Sequence, residues 1–263
     1  MKVGIIGYGF VGQAIGLCYE SKDLIVRDPK FSNSADLSKF NNCDCIFVCV
    51  PSPTREDGSC DTSILEQTLK ELLFTLLNKN IPVICKTTAP PSVYERLHAE
   101  YPNIVHCPEF LTAANAHEDY VNSPYCVLGG NEAYCEMARK FIEPHLNISH
   151  FEYVITDIKT AALYKYMMNS YLAAKVTFMN EFYKLAEAEG VEWNRVKEIA
   201  EFDSRVGGTH MDVPGPDGQY GWGGACFPKD VNAIIYEANQ LDLDFTLLKN
   251  IVDLNKQHRN NNG

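Results

Sequence analysis

An α/β fold, with a doubly wound parallel sheet followed by an all-helical domain built on one long helix, is predicted by three observations. Short apolar runs alternate with helical patterns over the first 150 or so residues. No Gly or Pro interrupts the chain between Pro144 and Gly190. Beyond that stretch the periodic segments all have helical spacing. Alternation of strand and helix implies a parallel sheet with crossover helices on its faces. A helix of about 33 residues rises 1.5 Å per residue and reaches roughly 50 Å, long enough to leave one domain and form the spine of the next.

The elements follow in order. Val3–Ile6, Leu24–Val26, Cys45–Val50, Val83–Cys85, Ile104–His106 and Tyr125–Leu128 are apolar runs of strand length. Between them, Asp61–Leu77 places Leu, Ile and Phe at helical spacing. Thr156-Asp157 supplies an N-cap and first turn for the long helix. Further helical patterns occupy Trp193–Phe202, Val231–Gln240 and Phe245–Gln257, and the polar, Asn-rich end reads as a frayed terminus. Val213–Phe227 is rich in Gly and Pro and is predicted to be a loop. Loops of that length inside a compact domain are usually functional. The expected division is a nucleotide-binding domain over 1–152 and a helical domain over 153–263.

Composition narrows the function classes. Of the 263 residues, 46% are hydrophobic, enough for a packed core. The formal net charge of −11 argues against nucleic-acid binding, which needs a basic face. It also means that an anionic ligand must be held by local N–H groups and a few placed cations. No run approaches the ~18 apolar residues of a membrane span. The N-terminal Met-Lys-Val-Gly-Ile-Ile-Gly leads straight into a structural motif, so a cytoplasmic location is expected. There are 10 cysteines, several inside apolar runs such as Cys43–Cys49, where cysteine acts as a small buried hydrophobe. Their spacings do not match metal knuckles, and no metal is expected.

Three constellations carry chemistry. Gly7-Tyr8-Gly9-Phe10-Val11-Gly12 is a G-x-G-x-x-G directly after a strand and opening a helix. The first glycine permits the turn, the second lets a pyrophosphate approach the backbone, and the third lets helix pack on strand. Asp28 ends the second strand 16 residues past Gly12, where a carboxylate binds a ribose diol and repels a 2′-phosphate. NAD is therefore the expected cofactor, although Arg27 is adjacent. Lys165 and Asn169, at i and i+4, share one face of the long helix among Ala161, Ala162, Met168 and Leu172. A cation and an amide in such surroundings can stabilise an oxyanion. Cys226 follows Gly221-Trp-Gly-Gly-Ala and precedes Phe-Pro-Lys-Asp230. Pro228 suits the first turn of the next helix, which sets the thiol at a helix N-terminus, where a thiolate is favoured.

The segment Gly223–Asp230 resembles the cysteine motif of the UDP-glucose/GDP-mannose dehydrogenase family. Matching stretches occur in order: Val50–Gly58, Lys86–Pro90, Pro108–Leu111, Lys165–Asn169, Asn180-Glu181 and Asp203–Gly207. The resemblance implies an NAD-dependent oxidation of a sugar primary alcohol to a carboxylate, with Cys226 as nucleophile. It puts Lys165 and Asn169 around the reacting oxygen and has Asp230 assist proton transfer. Thr88 and Glu109 would position water and cofactor. Val50, Pro51 and Lys229 would also lie at the cofactor. Phe110 and Leu111 would meet the substrate through their backbone, with Tyr220, Gly221 and Gly224 in the substrate loop. Arg205 would reach a partner's substrate across a homodimer. UDP-glucose is the implied substrate, with GDP-mannose and UDP-N-acetyl sugars as alternatives.

Two departures stand out. After Pro-Glu-Phe-Leu the family continues Arg-Glu-Gly, whereas this chain reads Thr112-Ala113-Ala114. Glu109 is then expected to act without a second acidic residue, and thioester hydrolysis to be slow. Family members also extend into a third, nucleotide-gripping domain, so the chain is expected to be either a short form or a fragment. Two other readings stay open: a single-hydride hydroxyacid dehydrogenase, which uses a similar Lys-x-x-x-Asn pair without a nucleophile, and a non-catalytic NAD-binding module or partner subunit.

Overall fold

The computed structural model describes residues 1–147 and 152–260. The strands are β1 (Val3–Ile6), β2 (Leu24–Arg27), β3 (Cys45–Val48), β4 (Val83–Cys85), β5 (Ile104–His106), β6 (Tyr125–Gly129) and β7 (Glu152–Thr156). The helices are α1 (Phe10–Gly16), α2 (Ser63–Thr75), α3 (Pro91–Glu100), α4 (Ala116–Val121), α5 (Glu132–Ile142), α6 (Ile158–Ala188), α7 (Trp193–Glu201), α8 (Phe227–Gln240) and α9 (Thr246–Asn260). Two compact units emerge: Met1–Pro53 with Cys60–Lys165, and Thr54–Ser59 with Tyr166–Gly263.

The first unit is a 7-stranded sheet in the order β2-β1-β3-β4-β5-β6-β7. Pairing is parallel except between β5 and β6, where His106 faces Gly129 in an antiparallel bridge. The sheet is thus mostly rather than wholly parallel. β7 was not expected from sequence: Glu152–Thr156 is at most half-buried, so it lacks the continuous apolar run that marks the central strands. Successive residues of each central strand feed opposite cores. Ile6, Ile46 and Val48 pack with Leu65, Leu69 and Leu72 of α2 and Tyr94 and Leu97 of α3. Val3, Ile5 and Phe47 pack with Ala14 and Ile15 of α1 and with Ala138 and Phe141 of α5. A sheet buried on both faces explains why these strands read as unbroken apolar runs. Gly129 has no room for a side chain, because a Cβ there would stand 2.4 Å from Ala161 of α6.

The long helix α6 spans 31 residues. Its cap is Asp157 alone: the carboxylate accepts the Thr160 N–H at 2.9 Å, while Thr156 completes β7. In the second unit Ala173 and Val176 of α6 pack with Trp222, Val231 of α8 and Ile251 of α9. Met179 packs with Met211 and Val213. The C-terminal end to Asn260 is not frayed. It is the last turn of α9, with Asn255 and His258 buried; residues 261–263 lie outside the described residues. On α6, Met167, Tyr171, Phe178, Phe182 and Leu185 are each about half exposed and fall on one stripe at helical spacing. Among the described residues no helix is long and apolar enough to cross a membrane.

Candidate active site

In the first unit, the order of β2, β1 and β3 puts the ends of β1 and β3 where the chain leaves in opposite directions, the point at which open α/β sheets bind ligands. Gly7 turns out of β1 with φ +88°, and a Cβ there would stand 2.6 Å from the Cys49 carbonyl oxygen. Gly12 would place one 2.2 Å from the Gly7 carbonyl. Both glycines are therefore required by the chain itself. Gly9 differs: it is exposed, and a Cβ there meets nothing within 4 Å. The chain itself leaves the space beside Gly9 open, with room for a pyrophosphate to approach the backbone.

Asp28 closes the same end of the sheet. It is buried, one carboxylate oxygen accepting the Tyr8 N–H at 2.7 Å and the other the Lys30 N–H at 2.9 Å. Phe10 and Val11 open α1, with Phe10 exposed and Val11 half-buried. Past β3, Val50 is buried and its carbonyl accepts the Thr87 hydroxyl at 2.7 Å, while Pro51 is exposed. Thr88, after β4, is buried, and its carbonyl accepts the Ser52 hydroxyl at 2.7 Å. An open glycine at Gly9 and a fixed carboxylate at Asp28 are chemically compatible with the phosphates and a ribose of NAD.

A second group sits past β5. Glu109 is buried, and its carboxylate accepts the Leu111 N–H at 2.8 Å. The Lys165 ammonium bonds the Glu109 carbonyl, lies 3.8 Å from its carboxylate, and sits 4.6 Å from the centre of the Phe110 ring. Lys165 is only 3% exposed, so its charge is neutralised and shielded at once. Leu111 and Phe110 are half-buried, and the Leu111 N–H is already engaged by Glu109.

The second unit builds the other half of the predicted residues around the start of α8. Cys226 occupies the N-cap position, and Pro228 lies in the first turn. One turn further, the Asp230 N–H donates to the Cys226 carbonyl at 2.8 Å. The Asp230 carboxylate, 1% exposed, accepts from the Asn169 amide at 2.5 Å and the Lys229 ammonium at 2.5 Å. A buried carboxylate between an amide and a cation is fully satisfied and held in one orientation. The glycine-rich loop leading to Cys226 is pinned from two helices. Asn180 accepts the Gly221 N–H at 2.8 Å, and Asn255 bonds both the N–H and the carbonyl of Trp222 at 2.7 and 2.9 Å. Gly221 and Gly224 have φ near +70°, and the Tyr220 ring lies tilted against Tyr183 with ring centres 5.8 Å apart.

Arg205 stands apart from these residues. Its side chain is 88% exposed and forks onto Asp203, two residues back. Lys175 of α6 holds the following loop by bonding the carbonyls of Val206, Gly207 and Thr209. Sequence reasoning assigned no role to Lys175, Asn180 or Asn255. Asn180 lies in a matching stretch of the resemblance and so carried a signal. Asn255 carried none, since its partner is 33 residues away and its neighbours are ordinary polar residues.

Known proteins give the geometry a family. Residues 24–145 match the NAD binding domain of the UDP-glucose/GDP-mannose dehydrogenase family, and residues 159–257 match its central domain. A UDP-glucose 6-dehydrogenase of Rickettsia conorii is 30% identical over 239 residues, 88% of this chain and 53% of that protein. A putative UDP-glucose 6-dehydrogenase of Bacillus subtilis is 31% identical over 245 residues, 89% of this chain and 55% of that protein. The chain thus spans about half the length of the curated relatives it matches. Among solved structures, a UDP-glucose dehydrogenase of Pyrobaculum islandicum superimposes with a TM-score of 0.79 at 23% identity, over 97% of this chain and 68% of that one. With its NAD-binding and central domains matched in sequence order and its fold shared, the chain belongs to the UDP-glucose/GDP-mannose dehydrogenase family.

Proposed function

We propose that the protein is an NAD-dependent dehydrogenase that oxidises UDP-glucose to UDP-glucuronate in two steps, through a thioester on Cys226. The observation that carries this reading is the start of α8, where the Cys226 thiol precedes by one turn a buried carboxylate fixed by Asn169 and Lys229. The names of the relatives support the substrate.

NAD, when bound, accepts the hydride in each oxidation. Gly9 would leave room for its phosphates on a turn that Gly7 and Gly12 permit, Asp28 would take its ribose, and Val50, Pro51, Thr88 and Lys229 would border it. The Lys165 ammonium and the Asn169 amide hold the sugar oxygen and stabilise the negative charge that develops there. Asp230 receives the departing proton. The Cys226 sulfur attacks the aldehyde carbon, which makes the second oxidation possible and leaves a thioester. Glu109, with Thr88, positions the water that releases the acid. Phe110, Leu111, Tyr220, Gly221 and Gly224 border the sugar nucleotide.

Two copies of the chain form the working unit in this reading. The stripe from Met167 to Leu185 supplies an apolar face for a homodimer, and exposed Arg205 would exchange its pairing with Asp203 for the partner's substrate. We place the protein in the cytoplasm, in keeping with cysteines used as buried apolar residues.

The test is the number of NADH formed per sugar consumed, for wild type and Cys226→Ser, with UDP-glucose, GDP-mannose and UDP-N-acetyl sugars in parallel. Two NADH per UDP-glucose, lost in the variant, is the expected result. One NADH per sugar, unchanged by Cys226→Ser, would replace this reading with single-hydride chemistry. NAD binding without turnover of any of these sugars would leave only a binding module.

A further inference from the structure

Outside the residues assigned above, the first unit holds a buried cation against one of a pair of neighbouring thiols. Lys86 follows β4 and is 7% exposed, and its ammonium lies 3.2 Å from the Cys107 sulfur and 3.4 Å from the Pro108 carbonyl. The Cys107 sulfur lies 3.4 Å from the Cys126 sulfur. β5 and β6 are antiparallel with His106 opposite Gly129, so Cys107 and Cys126 occupy diagonal positions on one face of the sheet. A disulfide needs about 2.05 Å between sulfurs, and the pair must close by little more than 1 Å. Cys107 is 1% exposed and Cys126 beside it is half-buried, so a small solute has to enter from the Cys126 side.

We propose that Cys107 and Cys126 are a peroxide-sensitive dithiol in which Lys86 holds Cys107 as the attacking thiolate. A buried ammonium needs an anion beside it, and the Cys107 sulfur is in direct contact. The hydrogen bond from the Cys126 thiol, and then the Lys86 charge, outweigh burial and bring the Cys107 thiol down to about 6. Burial instead pushes Cys85 and Cys135, which make no such contact, well up, Cys135 to about 12. At neutral pH the thiolate is the reactive form of cysteine.

The chemistry balances with a peroxide as oxidant. The Cys107 thiolate attacks the terminal peroxide oxygen, the O–O bond breaks, and the departing alkoxide or hydroxide takes a proton from Lys86. Sulfur loses two electrons and becomes a sulfenic acid. The Cys126 sulfur then displaces the sulfenic oxygen, which leaves as water with the Cys126 proton. The disulfide removes the anion beside Lys86 and draws on the strand end that continues into Pro108 and Glu109, whose carbonyl holds Lys165. Oxidation is therefore expected to lower activity reversibly, a consequence that rests on the function proposed above.

The decisive experiment treats the full chain carrying Cys226→Ser with stoichiometric hydrogen peroxide at pH 7, blocks remaining thiols, and maps peptides without reduction. The expected result is a linked pair of peptides containing Cys107 and Cys126. Adding Cys126→Ser should convert this product to a Cys107 sulfenic acid captured by dimedone. Lys86→Met should slow the oxidation about tenfold or more, and Lys86→Arg, which keeps the cation, should restore most of the rate. Peroxide that oxidises other cysteines while leaving these two unlinked would overturn the proposal, as would equal rates in Lys86→Met and Lys86→Arg. In a second arm, wild-type NADH formation should fall with peroxide and return with a thiol reductant, and Cys107→Ser, which keeps Cys226 but cannot form the disulfide, should lose less; an equal loss in both would overturn the link between this dithiol and activity. Absence of turnover in every untreated sample would refute the proposed activity while the peptide map still decides the dithiol.

Discussion

Gly9→Ala separates what the glycine loop does for the fold from what it does for a ligand. Gly9 has φ −72° and ψ −164°, a conformation alanine adopts freely, and the added methyl meets nothing in the chain within 4 Å. The folded state should lose nothing. Restricting the unfolded chain should stabilise the protein by about 0.4–1 kcal/mol. For a protein of this size that is a rise in Tm of a few degrees at most. NAD meets the methyl instead. Each backbone N–H bond to a charged phosphate contributes about 1.5–3 kcal/mol, so one lost bond weakens binding about tenfold or more and two about a hundredfold or more. The assay pairs a thermal melt without ligand with titration calorimetry of NAD. Gly12→Ala is the contrasting control: its Cβ would stand 2.2 Å from a backbone oxygen, so both Tm and affinity should fall. Wild-type NAD affinity in Gly9→Ala would refute the argument, because the open side of Gly9 would then not face the phosphates.

Two further outcomes follow from buried and exposed side chains. His106 is fully buried against Tyr94, and burial pushes its imidazole down to about 3 from 6.5. Between those values the unfolded chain binds a proton that the folded chain refuses, so this contribution to stability is complete above 6.5 and is lost as pH falls below it. From pH 7 to pH 5 the loss is about 2 kcal/mol. His106→Phe should reduce the pH-dependent fall in urea stability by that amount, and an identical fall in both proteins would contradict the assignment. Phe182→Glu, in the middle of the exposed stripe on α6, should convert a dimer to a monomer in light scattering without lowering helix content. An unchanged mass would place the interface elsewhere.

The central strands, α6 and the glycine loop were legible because their signals are local. A strand buried on both faces shows itself in four consecutive residues such as Cys45–Val48, and the G-x-G-x-x-G in six. Cys226 could be placed at the N-terminus of α8 because Pro228 marks its first turn. Likewise Lys165 and Asn169 could be placed on one face of α6 by spacing alone.

Pairing decided the rest. β7 is half-exposed and is a strand because β6 runs beside it, from Tyr125 opposite Glu152 to Gly129 opposite Thr156. The polar end of the chain is a helix because Asn255 pins Trp222, a bond across 33 residues that no window of sequence contains. Gly9 and Gly12 look alike in a motif, and only the atoms around them distinguish a glycine that the fold needs from one that it does not. Cys107 and Cys126 looked like two more small apolar residues among ten cysteines. Cys107 meets Lys86 and Cys126 because three strand ends come together, and a thiol's reactivity depends on the charge beside it rather than on its neighbours in sequence.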